Sequence, residues 1–145
     1  MSEQQQTLSL QQTIDLAIQH HTAGRLSQAE TIYQQILQTD PNQPVALHLL
    51  GVIAHQVGKN DTAVDLIARA LALKPDLAEA HSNLGVALQE LGKLDEAVSN
   101  FYKALALKPD LPGVWFNLHV TLFDTADLEP AAECLEKALE INPVF

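Results

Sequence analysis

The chain has little sulfur, few aromatic rings, few positive charges and no long apolar run. Its one cysteine, Cys134, cannot close an internal disulfide, so nothing in the sequence asks for an oxidising compartment. Aromatic residues are only 5%, while Ala, Leu and Gln are abundant, which favours packed helices over a sheet sandwich. The opening MSEQQQTLSLQQ carries no basic residue and no apolar stretch of signal-peptide length, and no run long enough to cross a bilayer occurs anywhere. A cytoplasmic location is the expectation. Eight basic residues against 18 acidic ones give a net charge of −10, which repels nucleic acid and anionic lipid at long range. Neither nucleic acid nor a membrane is therefore an expected partner. What remains is 145 residues that are 47% apolar, enough for one domain with a core and too apolar for a disordered tail.

The octamer ALALKPDL stands at residues 70–77 and again at 104–111. Proline follows the same interval, at Pro41, Pro75, Pro109 and Pro143, every gap being 34 residues. Gly24, Gly58 and Gly92 share one register, Gly51 and Gly85 another, and Ala29, Ala63, Ala97 and Ala131 a third. Three residue types kept in phase over four periods mark an internal repeat.

Within each period the apolar spacing changes face twice, as a pair of helices requires. Leu84, Leu88 and Leu91 keep a helical period up to Gly92; Leu94, Ala97, Val98, Phe101, Ala104 and Leu105 keep another up to Lys108-Pro109. Gly92 suits a left-handed residue just past a helix, and KLDEA supplies acids to the next first turn. Proline then closes the second helix and pushes Lys108 out of the helical region. The spacing predicts eight helices, over 9–23, 26–39, 44–57, 60–73, 78–91, 94–107, 112–125 and 128–141. The division is a flexible segment over 1–9, then repeats over 10–43, 44–77, 78–111 and 112–145.

These residues resemble the tetratricopeptide repeat, a 34-residue unit with the pattern W-x2-L-G-x2-Y, then A-x3-F, then P. The third repeat carries Leu84-Gly85, Leu88, Ala97, Phe101, Ala104 and Pro109. The second carries Leu50-Gly51, Ala54, Ala63, Ile67, Ala70 and Pro75, and the fourth keeps Trp115, Leu118, Leu122, Ala131, Leu135 and Pro143. The first is looser, with Leu16-Ala17, His20, Ala29, Tyr33 and Pro41. The resemblance covers residues 10–145 and implies an all-α, right-handed superhelical solenoid of antiparallel helix pairs. The eighth and twentieth places of a repeat need small side chains where the paired helices approach. His119 breaks that rule and Ala126 replaces the turn glycine, so the fourth repeat is expected to splay, or to carry an adapted tip. Pro130 falls in a first turn, where it costs no hydrogen bond.

The resemblance also implies a concave wall made by the first helix of each pair. At about 100 degrees per residue, places 4, 7, 8 and 11 form the core face and places 2, 5, 6, 9, 12 and 13 the other. That second face is not uniformly polar. Place 9 holds Ile18, Val52, Val86 and Val120; place 12 holds His21, His55, Gln89 and Phe123; place 5 holds Ile14, His48 and, in the last repeat, Phe116. The β-branched row is either a ligand wall or mutual burial between neighbouring first helices. Asn83 and Asn117 share place 6, where the resemblance implies contact with the backbone of an extended peptide through the donor and acceptor ends of the amide.

All eight basic residues lie outside the first helices, leaving Asp15, Glu79, Glu90 and Asp124 on the groove side. Family members that clamp chaperone carboxylates do so with lysines and arginines on that wall, and this chain lacks the clamp. The expected partner is a neutral, apolar or basic peptide segment.

Chemistry is otherwise thin. His48 and His55 stand two turns, about 10 Å, apart, too far for one ion, and no cofactor or metal is expected. Glu133 and Glu136 flank Cys134 and raise its pKa, and no nucleophilic or phosphate-binding motif occurs, so no catalysis is expected. The C-terminal edge, with Leu135, Ala138, Leu139, Val144 and Phe145, is apolar, and a few hundred Å2 is about the limit for a soluble monomer. Three readings follow: a peptide-binding scaffold; the substrate-presenting arm of a larger enzyme, since residues 79–111 resemble repeats that precede glycosyltransferase and sulfotransferase domains; or a homo-oligomer formed through that edge or the groove.

Overall fold

The structure is a computed structural model that describes residues 8–144. Eight helices follow in order: α1 (Leu10–Thr22), α2 (Leu26–Thr39), α3 (Pro44–Gln56), α4 (Asn60–Leu73), α5 (Ala78–Glu90), α6 (Leu94–Leu107), α7 (Pro112–Asp124) and α8 (Leu128–Ile141). Each odd-numbered helix packs antiparallel on the helix that follows, and each even-numbered helix packs on the start of the next pair. α3 also touches α5, and α5 touches α7, so the first helices form a continuous row along one side of the solenoid. The described residues contain no strand.

The turns inside the pairs share one chemistry. Gly24, Gly58 and Gly92 have φ of +79°, +84° and +77°. The amide of the residue after each reaches back five positions, as Lys59 does to the Ala54 carbonyl at 2.8 Å and Lys93 to Leu88 at 2.9 Å. This double closure ends the helix on a left-handed residue. Val57, Leu91 and Thr125 are the caps of those helices and not their last turns. The first helices therefore end one residue sooner than the spacing predicts, while all four second helices run over the predicted residues. The fourth turn repeats the bonding with Ala126 at φ +64°, a conformation that a Cβ disfavours.

The second helices stop at Asp40, Lys74, Lys108 and Asn142, whose amides still close the last turn while their ψ values turn extended before the proline. Pro44 and Pro112 open helices at the position where a missing N–H costs nothing. Ser9 caps α1 in a reciprocal box with Gln12. The expected flexible segment over 1–9 lies mostly outside the described residues, and Ser9 belongs to the helix start.

Small residues set the approach within pairs. A Cβ built on Gly51 would stand 2.6 Å from Ile67 Cγ1, and one on Gly85 would stand 2.6 Å from Phe101 Cε1. At the same place in the last pair, His119 does not force the helices apart. Its Nδ1–H donates to the Ala131 carbonyl at 2.8 Å, the facing residue is Leu135 where α6 has Phe101, and α7 packs on α8 as closely as α5 on α6. The expected splay is thus absent. The place-4 side chains His81 and Trp115 each donate a ring N–H to the carbonyl of the preceding proline, Pro75 at 2.9 Å and Pro109 at 2.8 Å.

The core divides along the chain. One cluster runs from Ile67 and Leu71 through Phe101 to Leu122 and Cys134, and a second joins Ile14, Ala17, Tyr33 and Ile36 to Ala46 and Ile53.

Candidate functional site

The row of first helices brings the sequence-predicted residues to one side, and it shows which of them retain surface. Phe123 is 61% exposed; Phe116 and Ile18 are also exposed. Val52, Val86, Val120, His21, His55, Asn83, Gln89 and Asn117 are half-buried. Place 9 is thus shared between the wall and its neighbours, with Val86 packed against the larger core cluster.

Two predicted residues are not available. Ile14 is buried within the N-terminal core cluster, against which Leu49 of the next repeat packs. His48 is buried too, and Asn83 Nδ2 donates to its Nε2 at 2.9 Å. The cause is the same in both: the place-6 side chain of the following repeat lies over place 5. Phe116, in the last repeat, has no following repeat above it among the described residues and keeps its exposure. The Asn83 amide is correspondingly half committed, its donor end holding His48.

Side chains also bridge repeats at the lower end of the row. His21 Nε2–H donates to Gln56 Oε1 at 2.6 Å. His55 Nδ1–H donates to Asn60 Oδ1 at 2.9 Å, Asn60 Nδ2 donates to Glu90 Oε2 at 3.0 Å, and Glu90 stands 3.6 Å from the same histidine nitrogen. Sequence reasoning missed Gln56 and Asn60. For Gln56 the signal was available in the repeat numbering, because place 13 of one repeat lies beside place 12 of the previous one, as His21 and Gln56 do; Asn60, at place 17 of the same repeat as His55, had no such signal.

The histidines are therefore structural links. His48 has its pKa lowered by burial, with the Glu79 carboxylate opposing in part. His20 accepts from Arg25 Nε at 2.7 Å. No group of three metal-ligating side chains occurs among the described residues. Cys134 is buried and its pKa is raised, chiefly by that burial and then by Glu133; the flanking acids credited from the sequence are the smaller cause.

The C-terminal end of the wall differs in character. The His119 ring lies between Phe116 and Phe123, with centroid separations of 6.0 and 6.4 Å and tilted planes. Such spacing is attractive for aromatic pairs. Asp124 follows Phe123 directly. A recess of about 180 Å3 lies between α5 and the start of α7 and is lined by Glu79, Ser82, Asn83, Leu111 and Val114. No helix among the described residues is long and apolar enough to cross a membrane.

Comparison with known proteins fits this architecture. Among solved structures, a crystal structure of MamA superposes with a TM-score of 0.83 at 23% identity, covering 96% of this chain and 78% of that one. MamA from Desulfovibrio magneticus RS-1, residues 41 to the end, gives 0.81 at 22% identity, covering 92% and 75%. MamA AMB-1 gives 0.78 at 26% identity, covering 95% and 75%. No curated protein matches the chain. Family models described as tetratricopeptide repeat match residues 20–84, 78–111 and 112–145. With the 34-residue period, the paired helices and the left-handed turns, these matches establish that the chain belongs to the tetratricopeptide-repeat family.

Proposed function

We propose that the chain is a non-catalytic interaction scaffold that holds a neutral, apolar or basic peptide segment along the row of first helices. The observation that carries this reading is the composition of the wall. Exposed Phe116 and Phe123 and half-buried Val86 and Val120 share it with Glu79, Glu90 and Asp124, while every lysine and arginine stands elsewhere. Exposed rings at the C-terminal end of the wall supply area for burial, and the carboxylates on the same row of helices attract positive charge and repel an acidic segment. The aromatic end of α7 is the anchor. Asn117 follows Phe116 directly and stands about one turn before Val120, where it can meet the backbone of an extended chain. The arm-of-an-enzyme reading rests on the resemblance of residues 79–111 alone.

The test is a fluorescence-anisotropy comparison of acidic, neutral and basic peptide pools against the chain and against Phe123→Asp and Val86→Asp. Binding should fall in the order basic, neutral, acidic, and both variants should lose at least tenfold. Equal binding by all three pools, or variants that bind as the parent does, would overturn the reading.

A further inference from the structure

Among the three helix pairs that another pair follows, place 5 is plugged twice and left open once. Ile14 fills it in the first pair at 4% exposure, and His48 fills it in the second at 7%. In the third it is Ser82, whose side chain is too short to fill the same space. The recess of about 180 Å3 lies at this point, with Glu79 and Asn83 on the same helix as Ser82 and with Leu111 and Val114 across from them. It is an interior feature of the solenoid, bounded by α5 on one side and by α7 on the other.

The polar groups around the recess are acceptors. The Asn83 amide has its donor end committed to His48 Nε2 at 2.9 Å, which leaves Oδ1 as the end open to a ligand. Burial lowers the His48 pKa and so favours the neutral ring that accepts this bond, which fixes the amide in that sense. The Glu79 carboxylate takes part in neither of the ion pairs among the described residues. The Ser82 hydroxyl adds further lone pairs.

These groups discriminate among ligands. The start of α7 brings little positive character, because Pro112 has no N–H and the amides of Val114 and Trp115 both close on the Leu111 carbonyl. An anion would meet the Glu79 carboxylate with no lysine or arginine lining the recess. A wholly apolar side chain would displace water from three acceptors and give them nothing in return. Leu111 and Val114 nevertheless supply an apolar wall, which suits a stem of methylenes that ends in a donor.

We propose that the recess takes the side chain of a lysine from a bound peptide, its methylenes against Leu111 and Val114 and its ammonium among Glu79, Ser82 and Asn83. Acceptors on three separate side chains match the three rotatable donors of an ammonium, whereas a guanidinium holds its donors in a rigid fork that suits paired oxygens. The proposal rests on the peptide-wall reading for the source of that side chain, and it assigns the basic preference of the wall to one place in the third repeat.

The probe is N-acetyl-lysine methylamide, titrated into the 145-residue chain and followed by amide chemical shifts. N-acetyl-norleucine methylamide serves as the stem without its charge, and the arginine analogue as the fork. The lysine probe should shift the amides of Glu79, Ser82, Asn83 and Val114, bind at least threefold more tightly than either analogue, and weaken at least threefold in Glu79→Gln. Ser82→His should abolish those shifts. That variant should fold, as circular dichroism checks, because Asn117 stands at the following place 6 just as Asn83 does beside His48. Shifts absent from the recess or spread over the acidic residues of α8, equal binding of the three probes, or binding that survives Ser82→His would overturn the proposal. The peptide pools separate it from the wall. A basic preference that persists in Ser82→His leaves the wall standing and sinks the recess, while a lysine probe seated in the recess, with no preference among the pools, does the reverse.

Discussion

At Gly85 and Ala126 a methyl group is unfavourable for two different reasons, one steric and one of backbone conformation. Gly85 faces the Phe101 ring so closely that a Cβ would stand 2.6 Å from Cε1. The ring is fully buried and has nowhere to retreat, so Gly85→Ala should cost about 1–3 kcal/mol in urea unfolding. Ala126 sits at φ +64° in a turn where the other three repeats use glycine, and Ala126→Gly should stabilise by about 0.5–1 kcal/mol. His48 gives a pH prediction. Its folded pKa is lowered by burial from 6.5, so the unfolded chain binds the proton more readily. Its contribution to stability is complete above the unfolded value and is lost as the pH falls toward the folded one. Protonation must also displace the Asn83 donor from Nε2. The urea midpoint should therefore fall between about pH 7 and 5, and His48→Gln, which keeps an acceptor for Asn83, should flatten that slope. A slope unchanged in the variant would show that His48 is not its source.

At the scale of the helix, most of the fold was legible because its punctuation is chemical. Proline and the left-handed glycine set boundaries that periodicity alone blurs, and the second helices ran as predicted. The candidate site was legible as a face and not residue by residue. A wheel places Ile14, His48 and Phe116 together, yet two are buried and one is exposed. The deciding quantity is the lateral offset between neighbouring pairs, which sets place 6 of one repeat over place 5 of the one before; no single-helix pattern encodes it. His119 teaches the same lesson. Its size predicted a clash, but a side chain with a donor can turn to a carbonyl that a hydrophobe would have to push away. The start of α1 gives a test at this scale. Ser9 accepts from the Gln12 amide at 3.1 Å and its own amide donates to Gln12 Oε1 at 2.9 Å. Ser9→Ala should cost about 1 kcal/mol. Hydrogen exchange should register it in the first turns of α1 and leave α5 and α6 unaltered.

Across the whole molecule, the divided core predicts unequal opening. A solenoid's stability is close to a sum of repeat terms and nearest-neighbour interfaces, and here the interfaces differ. Val64 and Val98 pack against the large cluster at their repeats' place 21, where the first repeat has Glu30. Gln34 stands beside it, one turn on. Together with Leu50, Val57 and Lys59 they line a cleft of about 130 Å3 between α2, α3 and α4. Tyr33 adds a further weakness, since its buried hydroxyl has no partner and burial pushes its pKa up to about 12. The first repeat is consequently tied to the rest by the smaller cluster and by the His21–Gln56 bond. Native-state exchange in low denaturant should show α1 and α2 opening below the free energy of global unfolding, with α5 to α7 exchanging only at the global limit. Substitutions should respect the same division. Phe101→Ala, in the centre of the large cluster, should cost about 3–5 kcal/mol and lower the protection of α4 to α8 together. Tyr33→Ala should release α1 and α2 while α5 and α6 keep theirs. Uniform loss of protection in both variants would mean that the two clusters unfold as one, and that the cleft beside Glu30 does not mark a mechanical boundary.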